Sequence, residues 1–225
     1  GPDGYLYVAT GDNTSPFASE GFAPMDEQPG RKSFDAQRSA GNTMDLRGKI
    51  LRIKVAENAT YACPPDNLFA QDKKGRPEIY IMGCRNPFRI SVDQRRNLLY
   101  WGDIGPDAGK TDTLRGPMGH DEINQARKAG NYGWPYFNGN NQAYRKYDFA
   151  QKKSGAWFDP QRPVNHSPNN TGATELPPAQ TAFIWYPYDA SKEFPLVGTG
   201  GRNAMEGREF DKKDFCGAVG ALREF

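Results

Sequence analysis

The residues with the most chemistry to offer lie within positions 83–135. There a Gly-Cys-Arg-Asn-Pro run, a Gly-Pro step, an Asp-Glu pair and an Asn-Tyr-Gly-Trp-Pro run follow one another. Arg85 carries a planar, permanently charged guanidinium suited to bidentate capture of a carboxylate, and Asn86 beside it both donates and accepts hydrogen bonds. That pair fits a polyanionic cofactor. Gly105 and Pro106 offer main-chain oxygens in a loop, and Asp121 and Glu122 supply hard oxygen ligands of the kind Ca²⁺ takes. Each feature also has a plainer explanation. A Gly-Pro step marks a turn, and an acidic pair suits the start of a helix, where negative charge is favourable.

Short strands must position these groups. The apolar runs at 5–9, 49–55, 78–82, 88–92, 98–101 and 181–186 are brief and bounded by turn residues. Leu51, Ile53 and Val55 alternate with Arg52 and Lys54, as a half-buried strand requires. No segment shows sustained helical periodicity; the best short candidate is the Asp-led run at 121–128. Two stretches echo one another, PDGYLYVATGD at the start and RRNLLYWGDIG later, each a turn, an apolar strand and a Gly-Asp step ending at Asp12 or Asp103. Their separation is about two repeats at roughly 40–50 residues per propeller blade. Four-stranded antiparallel blades with Gly-rich turns accommodate such strands and gather their loops at one end of a central channel. By the same spacing the chain holds roughly five blades, a closed small ring or part of a larger one, and a sandwich is the alternative. Long polar segments at 13–47 and 139–178, the latter containing NHSPNNTG, read as binding loops or surface segments.

Composition sets the outer limits. Gly and Pro number 25 and 18 of 225 residues, close to a fifth of the chain against an average of about 12%, so turns are dense. With 29 basic and 27 acidic residues interspersed, no basic face or acidic tail selects nucleic acid or an anionic membrane. No apolar run reaches the length of a membrane span. The opening residues carry neither an initiator Met nor signal-peptide architecture, the expectation being a partial chain. Cys63 and Cys84 either pair across adjacent strands or remain free thiols, and Cys216 is left over. His120 and His166 are expected at surface or turn positions.

Taken in order, GPDGYLYVATGD, LRGKILRI, EIYIMGCRNPFRIS, LYWGDIGPD, HDEIN and GNYGWPY resemble the soluble glucose/sorbosone dehydrogenases that use pyrroloquinoline quinone on a six-bladed β-propeller. The resemblance implies an all-β fold, here an incomplete propeller over 1–206, with a divergent tail at 207–225. It implies that the Arg-Asn pair contacting the quinone is Arg85 and Asn86. The main-chain oxygens holding the quinone's calcium fall on Gly105 and Pro106. A second, structural calcium falls on Glu122 and the carbonyl of Tyr132, with Asp121 a possible additional ligand. Asp12 falls where the family has a carboxylate that orients the catalytic His. That His matches a point ahead of Gly1, neither His120 nor His166 stands in its place, and the isolated segment is therefore expected to be inactive. The family's later cofactor-binding Lys and Arg have no secure counterparts, Arg202 being the nearest. The implied reaction is oxidation of an aldose at the anomeric carbon to a lactone, with hydride passing to the quinone and onward to an external electron acceptor. The implied location is periplasmic or extracellular. Two other function classes compete: a non-catalytic propeller binding a glycan or protein partner, and a calcium-dependent lactonase with no use for the Arg-Asn pair.

Overall fold

The computed structural model describes residues 1, 3–197 and 204, so Arg202 and the 207–225 tail lie outside the described residues. The chain is all-β. One sheet contains β1 (Leu6–Thr10), β2 (Lys49–Val55), β4 (Ile79–Met82) and β8 (Gly130–Asn131) in that order, with the short β3 (Tyr61–Ala62) added to the end of β2. The other contains β5 (Pro87–Asp93), β6 (Leu98–Asp103), β7 (Asp121–Ala126) and β13 (Ile184–Tyr186), all antiparallel neighbours. Two hairpins, β9 (Phe137–Asn138) with β10 (Gln142–Ala143) and β11 (Arg145–Asp148) with β12 (Lys153–Trp157), complete the described strands.

The β5–β6–β7–β13 sheet has the antiparallel four-stranded form expected of a blade. The first sheet departs from it, because the two-residue β8 runs parallel to β4. The spacing-based count of about five blades also overshoots the two larger sheets, one of five strands and one of four, seen among the described residues. The long polar segments consume chain without adding strands to either sheet. The six apolar runs all contain strands, although only the last three residues of 181–186 are paired.

The run at 121–128 is not a helix. It forms β7, paired with β6 through Asp103↔Glu122 and Trp101↔Asn124 and with β13 through Trp185↔Glu122. Its polar residues concealed it, since they are buried or half-buried with specific partners instead of facing water. Asp121 and Asn124 are fully buried.

Two cores hold these layers. Ile50, Tyr80 and Ile81 of the first sheet meet Leu99, Trp101 and Ala126 of the second, with Tyr132 packed edge-on to Trp101 at 4.6 Å between ring centroids. A second core packs Ile79 and Met82 against Trp134, Tyr136, Phe137 and Leu176. The two polar segments do not float free as loops. Asp35, fully buried, accepts from the Gln37 N–H, Ser167 Oγ and Asn169 Nδ2, while Asn165 Nδ2 donates to the carbonyls of Gln37 and Gly41. Much of NHSPNNTG is thus a clamp on the first segment. Lys49 fixes the base of that segment: its buried ammonium donates to the carbonyls of Ser39, Ala40 and Arg47 at 2.8, 3.1 and 2.9 Å. Cys63 and Cys84 are both free thiols.

Candidate functional site

Strands from the two sheets end on the same dipeptide. Just beyond β1, the Asp12 N–H donates to the Arg85 carbonyl at 2.9 Å. At the end of β6, Asp103 accepts the N–H of Arg85 through Oδ2 at 3.0 Å and that of Asn86 through Oδ1 at 2.6 Å. The sequence echo between Asp12 and Asp103 therefore has a structural basis. Gly83, at φ +76, supplies the left-handed turn that leads β4 into this dipeptide, and a Cβ there would lie 2.5 Å from Asn131 Oδ1. The Arg85 guanidinium donates to the Ile104 carbonyl at 2.9 Å and sits 6.0 Å from the Trp134 ring centroid. Both its main chain and its side chain are fixed.

Two carboxylates beside Arg85, Asp12 and Asp103, are buried, while Asp107, 4.0 Å from its guanidinium, is exposed. Asp12, 6% exposed, accepts from Trp134 Nε1 at 2.7 Å and from the Thr14 N–H at 3.0 Å. Burial holds its carboxyl above the usual range, opposed by those donors and by the Arg85 charge. Burial pushes Asp103 up to about 7 against its two main-chain donors. Glu122, bonded to the Gly139 N–H and Asn124 Nδ2, rises to about 8 through burial reinforced by the Asp103 charge.

Two cavities meet at Arg85. A cleft of about 480 Å³ is lined by residues 11–17, Ser33, Arg85 and Asn86. A second cavity of about 10 Å³, room for a single water-sized particle, lies on the other side. It brings together Arg85, Gly105, Pro106, Glu122 and Tyr132 from the sequence-derived set, joined by Asp103, His120, Trp134, Phe137 and Asn138. Asp121 does not line it. Its carboxylate accepts the N–H groups of Gly105 and Ala204, at 2.9 and 2.6 Å, and so anchors the Gly105 turn from behind. Asp12 belongs to the cleft alone.

His120 corrects the surface expectation. It is 7% exposed, and its Nδ1 lies 3.0 Å from Asn138 Oδ1. The side-chain partner on β9 makes its burial tolerable. His166 is exposed, as expected. Sequence reasoning also gave no role to Asp103 or Trp134, although the repeated Gly-Asp step and the Asn-Tyr-Gly-Trp-Pro run both flagged them.

The donor set suits a hard cation. Among the described residues no three His, Cys, Asp or Glu side chains cluster as a ligand set, so main-chain oxygens would have to complete the coordination. Gly105, Pro106 and Tyr132 stand at the small cavity with the Glu122 carboxylate. Asn124 Oδ1, on the strand that carries Glu122, is buried with no hydrogen-bond partner. Oxygen donors next to carboxyls whose ionisation is suppressed by burial are what Ca²⁺ would relieve. On the other side, the cleft's size and its Arg-Asn pair suit an anionic ring system.

Comparison with known proteins decides the family. The family described as Glucose / Sorbosone dehydrogenase matches residues 1–174, more than half of the chain. The chain belongs to the glucose/sorbosone dehydrogenase family. Among similar proteins, the HIPL1 protein of Arabidopsis thaliana is 32% identical over 62% of this chain and 18% of its own length. The quinoprotein glucose dehydrogenase B of Acinetobacter calcoaceticus is 28% identical over 81% of this chain and 36% of its own. The crystal structure of the soluble aldose sugar dehydrogenase of Escherichia coli aligns with a TM-score of 0.43 at 23% identity, covering 87% of this chain and 43% of that one. The chain thus spans well under half the length of these relatives. No helix among the described residues is long and apolar enough to cross a membrane.

Proposed function

We propose that this chain forms the cofactor-gripping part of a sugar dehydrogenase that oxidises an aldose at its anomeric carbon to a lactone, using pyrroloquinoline quinone and Ca²⁺. The observation that carries this reading is that Arg85 lines both cavities, sharing the cleft with Asp12 and Asn86 and the small cavity with Gly105, Pro106 and Glu122. A quinone held by Arg85 and Asn86 would supply an electrophilic carbonyl as hydride acceptor, and calcium would supply Lewis acidity beside it.

The rest is done by this chain's own residues. Arg85 and Asn86 bind and orient the anionic ring, and the guanidinium neutralises negative charge that develops on an oxygen facing it. Asp103 holds the backbone of both. The main-chain oxygens of Gly105 and Pro106 would hold the calcium of the quinone, with Asp121 fixing their turn. The small cavity has room for one ion, so Glu122 and the Tyr132 carbonyl, which the resemblance gives to a second, structural calcium, would serve the same ion here. Asp12, held by Trp134, would orient the base that the resemblance places ahead of Gly1 and that would remove the sugar's hydroxyl proton. The family's periplasmic or extracellular setting and an external electron acceptor belong to the same proposal.

Reconstituting the full-length parent protein with the quinone and Ca²⁺ and following dye reduction across a panel of aldoses tests it. Arg85→Ala is expected to lower turnover about a hundredfold or more, as loss of one preorganised donor typically does. Unchanged turnover in that variant removes Arg85 from the reaction. A second reading, a propeller that binds a glycan or protein partner without turnover, is favoured for residues 1–225 alone by neither His120 nor His166 lining the cleft beside Asp12. Dye reduction with no sugar in the panel would select it.

A further inference from the structure

We infer that the chain carries a second, non-catalytic binding site for an uncharged pyranose ring, in the cavity between the β11–β12 hairpin and the two clamped polar segments. This cavity, about 140 Å³, is lined mainly by the apolar groups of Ala156, Trp157, Phe158 and Val164, with Glu27, Gln37, Lys146 and His166 supplying the polar ones. Its volume is close to the ~150 Å³ that houses a single six-membered ring in a protein interior. It shares no residue with the cleft or the small cavity at Arg85, and the inference does not rest on the dehydrogenase reading.

The walls are set before any ligand arrives. Phe158 packs on Tyr136 at 4.7 Å between centroids, and its N–H donates to the Tyr144 carbonyl. Trp157 is half exposed, with the Arg145 guanidinium 4.7 Å from its ring centroid. Gln37 Nε2 donates to Glu27 Oε1 at 3.0 Å and is itself tied to Asp35. Val164 and His166 flank Asn165, which is bonded to the carbonyls of Gln37 and Gly41. Preorganisation of this kind lowers the entropic cost of binding.

The chemistry selects the ligand class. A pyranose has apolar C–H faces and a rim of hydroxyls that both donate and accept. Here aromatic walls stand beside a carboxylate acceptor, an ammonium donor, an amide whose NH2 is committed to Glu27 and Asp35 and whose oxygen accepts, and an imidazole that can do both. Glu27 and Lys146 lie 3.9 Å apart and balance in charge. A neutral sugar therefore fits better than a uronate, an amino sugar or a phosphate.

Isothermal titration of the full chain, without quinone, with methyl hexopyranosides tests this. Their blocked anomeric carbon cannot be oxidised, so the readout is binding alone. Saturable binding is expected, weakened at least tenfold by Trp157→Ala and by Lys146→Ala, both surface substitutions, and unchanged by Arg85→Ala. Loss of binding in Arg85→Ala with retention in Trp157→Ala would put the sugar in the cleft and overturn the inference while leaving the dehydrogenase reading intact. Binding of phenol or benzamide but of no glycoside, or no binding up to tens of millimolar, would also overturn it.

Discussion

Lys49→Met probes how the segment that shapes the Asp12 cleft is anchored. The wild-type ammonium is fully buried and satisfies three carbonyls, of Ser39, Ala40 and Arg47. Burial lowers its pKa from 10.5 to about 7. Because the folded value lies below the unfolded one, the unfolded chain binds more protons between about pH 7 and 10.5, and stability must rise with pH across that window. The slope approaches about 1.4 kcal/mol per pH unit, and allowing for partial titration at both ends the gain from pH 7 to 10 is about 3 kcal/mol. Met has no such titration. It also orphans three buried acceptors, a penalty of about 1–3 kcal/mol for each one left unsatisfied. At neutral pH the relief from burying no charge offsets part of that penalty, so the variant's deficit is smallest there. Urea unfolding of both proteins at pH 7, 8, 9 and 10 gives the difference directly, and other titrating groups cancel in it. A deficit that grows by about 3 kcal/mol supports the reasoning. A deficit constant across the series refutes it, because Lys49 would then not be shifted by burial.

Two further outcomes follow from the geometry. Trp134→Phe removes the indole donor from Asp12 and should raise that carboxyl further in a carbon-detected NMR titration; an unaltered titration would mean the indole does not support Asp12. Asp35→Ala leaves Ser167 and Asn169 without their buried acceptor, which should cost about 3 kcal/mol and speed limited proteolysis within residues 163–176. Equal cleavage rates would show that the clamp lies elsewhere.

How far the sequence could be read depended on where each residue's partner lies. The strands at 49–55, 88–92 and 98–101 were visible because apolar side chains recur among turn residues. β7 was not, because the Asp121 and Glu122 carboxylates accept from Gly105, Ala204, Gly139 and the Asn124 amide. Only tertiary contacts make so polar a strand tolerable. The candidate site was legible residue by residue, since the motifs that resemble the family name Arg85, Asn86, Gly105, Pro106, Glu122 and Tyr132. What the chain order hid was the support: Asp103 holding two amides, Trp134 holding Asp12, and His120 tucked against Asn138. Asp121, expected among metal ligands, turned out to hold main-chain amides, a distinction that spacing cannot draw. The polar segments also hid their tie to one another, because a loop bonded to another distant loop has the composition of one that binds a ligand, and parts of both line cavities.

The most direct test of the central claim is a crystal structure of the full chain soaked with pyrroloquinoline quinone and Ca²⁺, with the metal located by its anomalous signal. The account predicts a calcium peak against the main-chain oxygens of Gly105 and Pro106 and the quinone ring lying in the cleft against the Arg85 guanidinium. A metal peak away from that turn, or a ring bound out of reach of Arg85, would contradict it.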